Sequence, residues 1–235
     1  MEESPKKDSM TTNKFIILAT ENHPLYYQLK EISKTKDFRF YDVEKDELFE
    51  EKQDTQREYE CLFDFTITPP EQKMGLLSYL DFEIDCPIIS ELSCFWGEIY
   101  FQKIKNLRGA VSTAFTSPTN TREAYAEDKQ IEIFIHNLYQ DLMLNAFFVK
   151  DLEIGFTFPR VISMIFNEAY FSLEDELATD EDIDTAMKFG VNYPLGPIEW
   201  SQEIGALPIV MLLDQLYQVT GDPRYRVSKL LRLMA

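Results

Sequence analysis

The sequence predicts an α/β domain with a mostly parallel open sheet, followed by an all-α domain. Three observations carry this expectation. Short apolar runs alternate with helical stretches up to about residue 128. Helical apolar spacing then takes over, and the boundary falls near residue 150. The 235 residues are 45% hydrophobic and 14% aromatic, enough to bury a sizeable core. The expected division is a disordered polar tail over 1–13, a sheet domain over 14–150 and a helical domain over 151–235.

The first strand is "KFIILAT" (14–20), a continuous apolar run of the kind buried on both faces of a parallel sheet. Pro24 suits the first turn of the helix that "LYYQLKEISK" continues. Further strands are read at "FRFYDV" (38–43), "YECLFDFTI" (59–67), "CPIISELS" (86–93) and "LRGAVSTAF" (107–115), with a helix at "MGLLSYL". Strands spaced by helices imply right-handed crossovers, and such sheets bind ligands at their carboxyl ends. Beyond residue 128, "KQIEIFIHNLYQDLMLNAFFVKD", "RVISMIFNEAYFSLEDELA", "TDEDIDTAMKFG" and "LPIVMLLDQLYQVTG" read as helices. Thr179 is the N-cap of the third, with Asp182 three residues on, and Gly190 is expected to close it.

The net charge of −18 excludes nucleic-acid binding through a basic patch. No apolar run is long enough to span a bilayer. The polar start lacks the features of a secretory signal or a transit peptide. Cys61, Cys86 and Cys94 are odd in number and lack zinc spacing. They fit a reducing, cytoplasmic setting without a structural metal.

"EDIDTAMKFGVNYPLGPIE" (181–199) carries a more specific signal. With its helix, its cap and its Pro-Gly-Pro turn, the chain resembles the carboxyl-terminal domain of 3-hydroxyacyl-CoA dehydrogenases. Asp184, Ala186, Gly190, Pro194, Gly196, Pro197 and Glu199 stand at the family's spacing. The resemblance implies a nicotinamide-binding, Rossmann-like sheet domain followed by a helical domain. It also implies acyl-CoA in the cleft between them and a place in fatty acid metabolism. The helical domain is usually the dimer interface. A homodimer is therefore expected, formed through the strongly apolar "LPIVMLLDQLYQV" (207–219).

Laid on the family's motifs, the sites of chemistry depart together. The three glycines of the phosphate loop become Ala19, Glu21 and Pro24. Asp42 keeps the place of the acid that binds the ribose, a weak candidate for cofactor binding. Ala114 stands where the family has its catalytic histidine, and Ser117 where it has an asparagine. Glu127 lies within one residue of the orienting glutamate. Pro159 replaces the asparagine at the domain junction, while Arg160 remains. Ser93 keeps the place of a substrate-contacting serine, and Glu91 replaces an asparagine. The two histidines, His23 and His136, lie outside the 114–118 segment. His23 reads as a capping or exposed residue and His136 as a helix-surface one. Phe95, Trp96 and Tyr100 read as core.

The expected function is a family scaffold that has lost its catalytic residues, binds no NAD and retains acyl-CoA or partner binding. Two alternatives remain open. One is an active NAD-dependent oxidoreductase on 3-hydroxyacyl-CoA. The other is a ligand-free dimeric interaction module.

Overall fold

The computed structural model describes residues 14–46, 48–49 and 59–235. The tail expected over 1–13 lies outside the described residues. A seven-stranded sheet has the order β2-β1-β3-β4-β5-β6-β7. Its strands are β1 Phe15–Ala19, β2 Phe38–Asp42, β3 Cys61–Phe65, β4 Ile88–Glu91, β5 Leu107–Val111, β6 Thr121–Ala126 and β7 Asn145–Phe148. The first five run parallel, β6 is antiparallel to β5, and β7 runs parallel to β6. Strand β2 is the edge on its side among the described residues.

Both faces of β1 are covered, which is why it reads as an unbroken apolar run. Ile16 and Leu18 enter the larger core, while Ile17 and Ala19 enter the smaller one. Helices α1 (Tyr26–Thr35) and α4 (Lys129–Asp141) supply the smaller core through Tyr26, Leu29, Ile131 and Ile135. Helices α2 (Pro70–Glu83) and α3 (Gly97–Lys103) lie against the other face through Leu77, Leu80 and Tyr100. The larger core continues without a break into the helical part. That part comprises α5 (Thr157–Glu174), α6 (Asp180–Gly190), α7 (Pro197–Ile204), α8 (Ala206–Thr220), a 3₁₀ turn (Pro223–Tyr225) and α9 (Lys229–Leu233).

Several elements differ from the sequence reading. The 128–150 stretch holds a helix and then β7, and β6 precedes it. Helices α3, α7 and α9 are additional. Gly190 is the last helical residue of α6 and does not adopt a left-handed conformation. Asn192, at φ 60°, makes that turn instead, as its short polar side chain permits. Thr179 caps α6 as expected, its hydroxyl accepting the Asp182 N–H at 3.2 Å.

Much of the apolar helix over 207–219 is buried within the chain. Ile209, Val210, Met211, Leu212, Leu213 and Leu216 of α8 are all buried. At its centre, Leu212 meets Gly155 on the segment joining the two parts. Gly155 has φ +64°, and a Cβ there would lie 2.6 Å from Leu212 and 2.7 Å from the Ser93 carbonyl. Tyr217 and Val219 at the carboxyl end of α8 stay exposed, as do Val161, Leu177, Phe189, Val191 and Leu233 elsewhere in the helical part. Among the described residues no helix is long and apolar enough to cross a membrane.

This packing sets an expectation for stability. Leu212→Ala should lower the unfolding free energy by about 2–5 kcal/mol, since it opens a cavity where the two parts meet. Phe189→Ser, at a side chain 84% exposed, should stay within about 0.5 kcal/mol. Urea denaturation checks both, and equal losses would contradict the assignment of the core.

Candidate functional site

The carboxyl ends of β1, β3, β4 and β5 converge where sheets of this kind bind ligands. At the centre is Glu91, the last residue of β4, fully buried. Its Oε1 accepts the Ser93 N–H at 2.8 Å and the Ser93 hydroxyl. Its Oε2 accepts the Thr113 N–H at 2.7 Å, the Thr113 hydroxyl at 2.6 Å and the Ala114 N–H at 3.1 Å. Burial pushes the carboxyl pKa up. Hydrogen bonding and the charge of nearby His23, with the bonds from Ser93 and Thr113, outweigh this and hold it below the usual carboxylate range.

His23 reaches this cluster from the loop after β1. It is 2% exposed, and its Nε2 lies 3.1 Å from Thr113 Oγ1 and 3.6 Å from Glu91 Oε2. Its Nδ1 accepts the Leu25 N–H at 3.1 Å, so a neutral ring carries its proton on Nε2. The Thr113 hydroxyl donates to Glu91, leaving its oxygen free to accept that proton. The expected capping role is therefore present, but the ring is buried rather than exposed. It also stands beside the 114–118 segment, from which it is remote in sequence. That adjacency depends on a contact across 90 positions, which no local pattern reveals.

A second buried ionic group lies on the neighbouring strand. Asp64 of β3 pairs with Lys73 of α2 at 2.6 Å, both side chains fully buried. Asp64 also accepts the Ser90 hydroxyl at 2.7 Å and the Thr66 N–H and hydroxyl at 3.0 and 2.7 Å. Lys73 donates further to the Thr66 carbonyl at 2.9 Å. The sequence reading passed over this pair, since a lone Asp in a strand and a lone Lys in a helix signal nothing by themselves.

The strand order turns back at β1, with β2 on one side and β3 on the other. The crevice between β1 and β3 is bridged by the chain itself. The Ile67 N–H donates to Thr20 Oγ1 at 3.0 Å, and Asn22 Nδ2 donates to the Ile67 carbonyl at 3.2 Å. Ala19 is buried in the sheet, and Glu21 is exposed. Lys45 binds Glu21 at 2.6 Å and Asp42 at 3.1 Å. Asp42 is itself buried and accepts the Tyr26 hydroxyl at 2.6 Å and the Glu44 N–H at 3.2 Å. Burial pushes Asp42 up, but these partners hold its carboxyl below the usual range. The bond to Asp42 raises the Tyr26 phenol to about 12.

Ala114 is buried and gives only its main-chain N–H to this region. Ser117 is tied to Thr119 in its own loop at 3.3 Å. Ser93 has a carboxylate two residues before it, and its hydroxyl is consumed there. Glu127 is not brought to the site. It lies beside Arg108 at the amino end of β5 and pairs with it at 2.6 Å, whereas Ala114 follows the carboxyl end. The β5–β6 pairing instead places Glu123 on Ala114's side of the sheet, with Ser112 N donating to the Glu123 carbonyl at 3.1 Å. The Glu123 carboxylate accepts the Thr157 and Phe158 N–H groups at 3.3 and 2.9 Å, capping α5. Pro159 follows within that first turn and is buried, and Arg160 pairs with Glu153. His136 is exposed on α4, and Phe95 and Tyr100 are core.

The 181–199 signature has a structural account. Asp184 of α6 accepts the Ile198 N–H at 2.8 Å and the Glu199 N–H at 3.1 Å, capping α7 from a neighbouring helix. A Cβ on Gly196 would lie 2.2 Å from the Asp184 carboxyl carbon, so the close approach requires glycine. Pro197 opens α7 at a position that needs no N–H, and Glu199 pairs with Lys188 at 2.7 Å. Trp200 then donates to the Thr116 carbonyl at 3.1 Å, tying α7 to the loop after Ala114.

An open, mostly parallel sheet with a helical domain packed beside it is a fold shared with solved 3-hydroxybutyryl-CoA dehydrogenases. Residues 155–235 match the model of the 3-hydroxyacyl-CoA dehydrogenase C-terminal domain. The family match is to this domain, about a third of the chain. The chain is 44% identical over 81 residues to 3-hydroxyadipyl-CoA dehydrogenase of Escherichia coli, 34% of this chain and 17% of that protein. It is 38% identical over 80 residues to a probable 3-hydroxybutyryl-CoA dehydrogenase of Deinococcus radiodurans, 34% of this chain and 29% of that one. The chain thus matches less than a third of these relatives' length. The fold extends further. The (S)-3-hydroxybutyryl-CoA dehydrogenase PaaH1 of Ralstonia eutropha superposes with a TM-score of 0.67 at 17% identity, covering 94% of this chain and 93% of that one. FadB2 of M. tuberculosis does so with a TM-score of 0.68 at 14% identity, covering 95% and 93%.

Two measurements test the site. Glu91→Gln should cost about 1–3 kcal/mol for each donor left without an acceptor. Because the folded carboxyl is held low, Glu91 contributes fully above the unfolded value of about 4.3, and that contribution disappears as pH falls through the lower folded value. The acid limb of the stability curve should therefore flatten in the variant, as read by chemical denaturation across pH. At the signature, Asp184→Ala should cost about 0.5–2 kcal/mol. Gly196→Ala displaces the same contact, so the double variant should lose less than the sum of the two. Strict additivity would show that the cap is not what Gly196 serves.

Proposed function

We propose that this chain is a 3-hydroxyacyl-CoA dehydrogenase-family scaffold without dehydrogenase chemistry, retained for binding an acyl-CoA thioester. The observation that carries the reading is the filled crevice. A dinucleotide pyrophosphate needs open backbone N–H groups at a helix start. Here the Thr20–Ile67 bond bridges the switch point. Glu21 places a carboxylate on the path, and the buried His23 ring spans the space toward Glu91. Lys45 and Tyr26 already occupy the Asp42 oxygens that would take a ribose. These residues do not fit NAD. Ala114 supplies no proton acceptor, and Pro159 has no amide to donate. The one imidazole nearby, His23, has both nitrogens engaged. What supports acyl-CoA binding is the helical domain, whose Asp184–Gly196 turn holds its shape independently of the cofactor crevice.

Calorimetry should give no NAD or NADH binding in the low micromolar range. Loss of one charge-assisted contact is worth about 1.5–3 kcal/mol, roughly ten- to a hundredfold in affinity. Absorbance at the NADH band should stay at background with short and long 3-hydroxyacyl-CoA substrates. Ala114→His should not restore turnover, because residues that act as one unit are not repaired singly. A thermal shift with CoA thioesters, absent with dinucleotides, is the expected positive signal. Saturable NADH formation by the natural chain, abolished by His23→Gln, would replace this reading with that of an active enzyme.

A further inference from the structure

We infer that the amino end of the sheet holds a binding site for a small organic cation, a protonated amine with an aromatic body. The site lies at the opposite end of the strands from Glu91, so it stands or falls independently of the proposed loss of chemistry. Strand register puts Phe15 of β1 beside Phe38 of β2, and Phe63 of β3 beside Ile17. All three rings lie on the face covered by α1 and α4. They contact one another at centroid distances of 5.4 to 6.3 Å, tilted or edge-on rather than stacked. Phe134 of α4 meets Phe15 edge-on at 5.6 Å. The four rings do not close over one another. With Leu138 they wall a cavity of about 380 Å³, a size within the roughly 300–1,000 Å³ of ligand pockets. Phe38 and Phe63 are buried, while Phe15 and Phe134 stay half-buried, so the wall reaches solvent.

Charge selects the occupant. The crossover helices run against the parallel strands, so α1 and α4 both bring their carboxyl ends to this end of the sheet. Those ends carry partial negative charge, and α4 has no basic residue in its last turn. The rim adds two carboxylates, Asp37 from just beyond α1 and Asp141 from the end of α4, against one lysine, Lys36. Lys36 is already taken by Asp141 at 2.9 Å, and nearby Lys14 by Glu60 at 3.0 Å. Asp37 is exposed and has no ion-pair partner among the described residues. An ammonium therefore meets a spare carboxylate, two helix carboxyl ends and phenylalanine rings whose faces attract cations. An anion of the same shape meets only repulsion. The apolar body of the ligand lies against the rings, and its charged head stays at the rim.

The test titrates the full chain with three probes of similar size: phenethylamine, phenethyl alcohol and phenylacetate. Ligand-observed NMR should show the amine binding about tenfold tighter than the alcohol. The carboxylate should not bind, and added salt should weaken the amine alone. Asp37→Asn, at an exposed side chain, should cut amine affinity about threefold or more and leave the alcohol unchanged. Phe134→Leu should weaken both probes, with thermal unfolding followed to establish that the variant is folded. If it is not, Asp37→Asn decides alone. Asp180→Asn removes an equal charge from α6 and should change neither probe. Equal binding of amine and alcohol would show that charge selects nothing and overturn the inference. Equal loss from Asp180→Asn would reduce the effect to diffuse attraction and overturn it as well. An amine indifferent to Asp37→Asn binds elsewhere, and no binding by any probe leaves no site; either result overturns it too.

Discussion

The Glu91 carboxylate is the constraint around which the ligand end of this sheet is arranged. A buried anion has to be fully hydrogen-bonded, or it destabilises the fold it sits in. Glu91 meets that condition by drawing in the chain on three sides. Ser93 turns back onto it, the 113–114 backbone is pinned beneath it, and His23 is held opposite. Each of these attachments has a further consequence. The Ser93 turn sets the carbonyl against which Gly155 packs, and Gly155 in turn admits Leu212 of the helical part. The 113–114 anchor fixes the start of the loop whose Thr116 receives Trp200. The His23 contact fixes the start of α1 through the Leu25 N–H. The same carboxylate therefore organises the crevice, the junction and a helix start.

A crevice arranged this way has a different economy from one built for a dinucleotide. Binding sites for anionic ligands leave N–H groups unsatisfied until the ligand arrives. Here several donors around the β1, β4 and β5 ends have internal acceptors. Thr20 takes the Ile67 N–H, His23 takes the Leu25 N–H, and Glu91 takes those of Ser93, Thr113 and Ala114. Next door, Asp64 and Lys73 satisfy one another with help from Thr66 and Ser90. Such pairing resists opening, because withdrawing a partner of Glu91, Asp64 or Lys73 leaves a buried charge less satisfied.

The sequence made the parallel core strands legible because burial on both faces leaves an unbroken apolar run, as in "FIILA" and "CLFDF". It concealed β6 and β7 for the opposite reason. In "TREAYA" only Ala124 is buried, and "NAFF" is four residues, none buried, soon after a helix, too short for its alternation to be read as a strand. At the site residue identities are read directly, Ala19, Glu21, Pro24 and Ala114 among them. The contacts around them are not. The pairing of His23 with Glu91 joins β1's loop to β4, and that of Lys73 with Asp64 joins α2 to β3. These are products of the fold, invisible until the strands are set side by side. Glu127 pairs with Arg108 at the other end of β5, and strand register places Glu123 beside Ser112, a placement that counting along the chain does not give.

The signature that identifies the family is also the least informative about its chemistry. Asp184, Gly196, Pro197 and Glu199 form one mechanical unit. A carboxylate from α6 caps α7, a glycine permits the approach, a proline starts the helix and an ion pair holds the two together. None of these contacts involves a group at the carboxyl ends of the strands. The unit can therefore persist while the crevice changes, because its stability comes from helix termination and packing alone. A link toward the crevice runs through α7, from the capped end to Trp200 and on to Thr116. That link transmits position rather than reactivity. It holds the loop that begins at Ala114 in place whether or not that loop carries a base. A match confined to residues 155–235 thus reports inheritance of a scaffold, and the chemistry has to be argued from the strand ends, where Glu91 and His23 now stand.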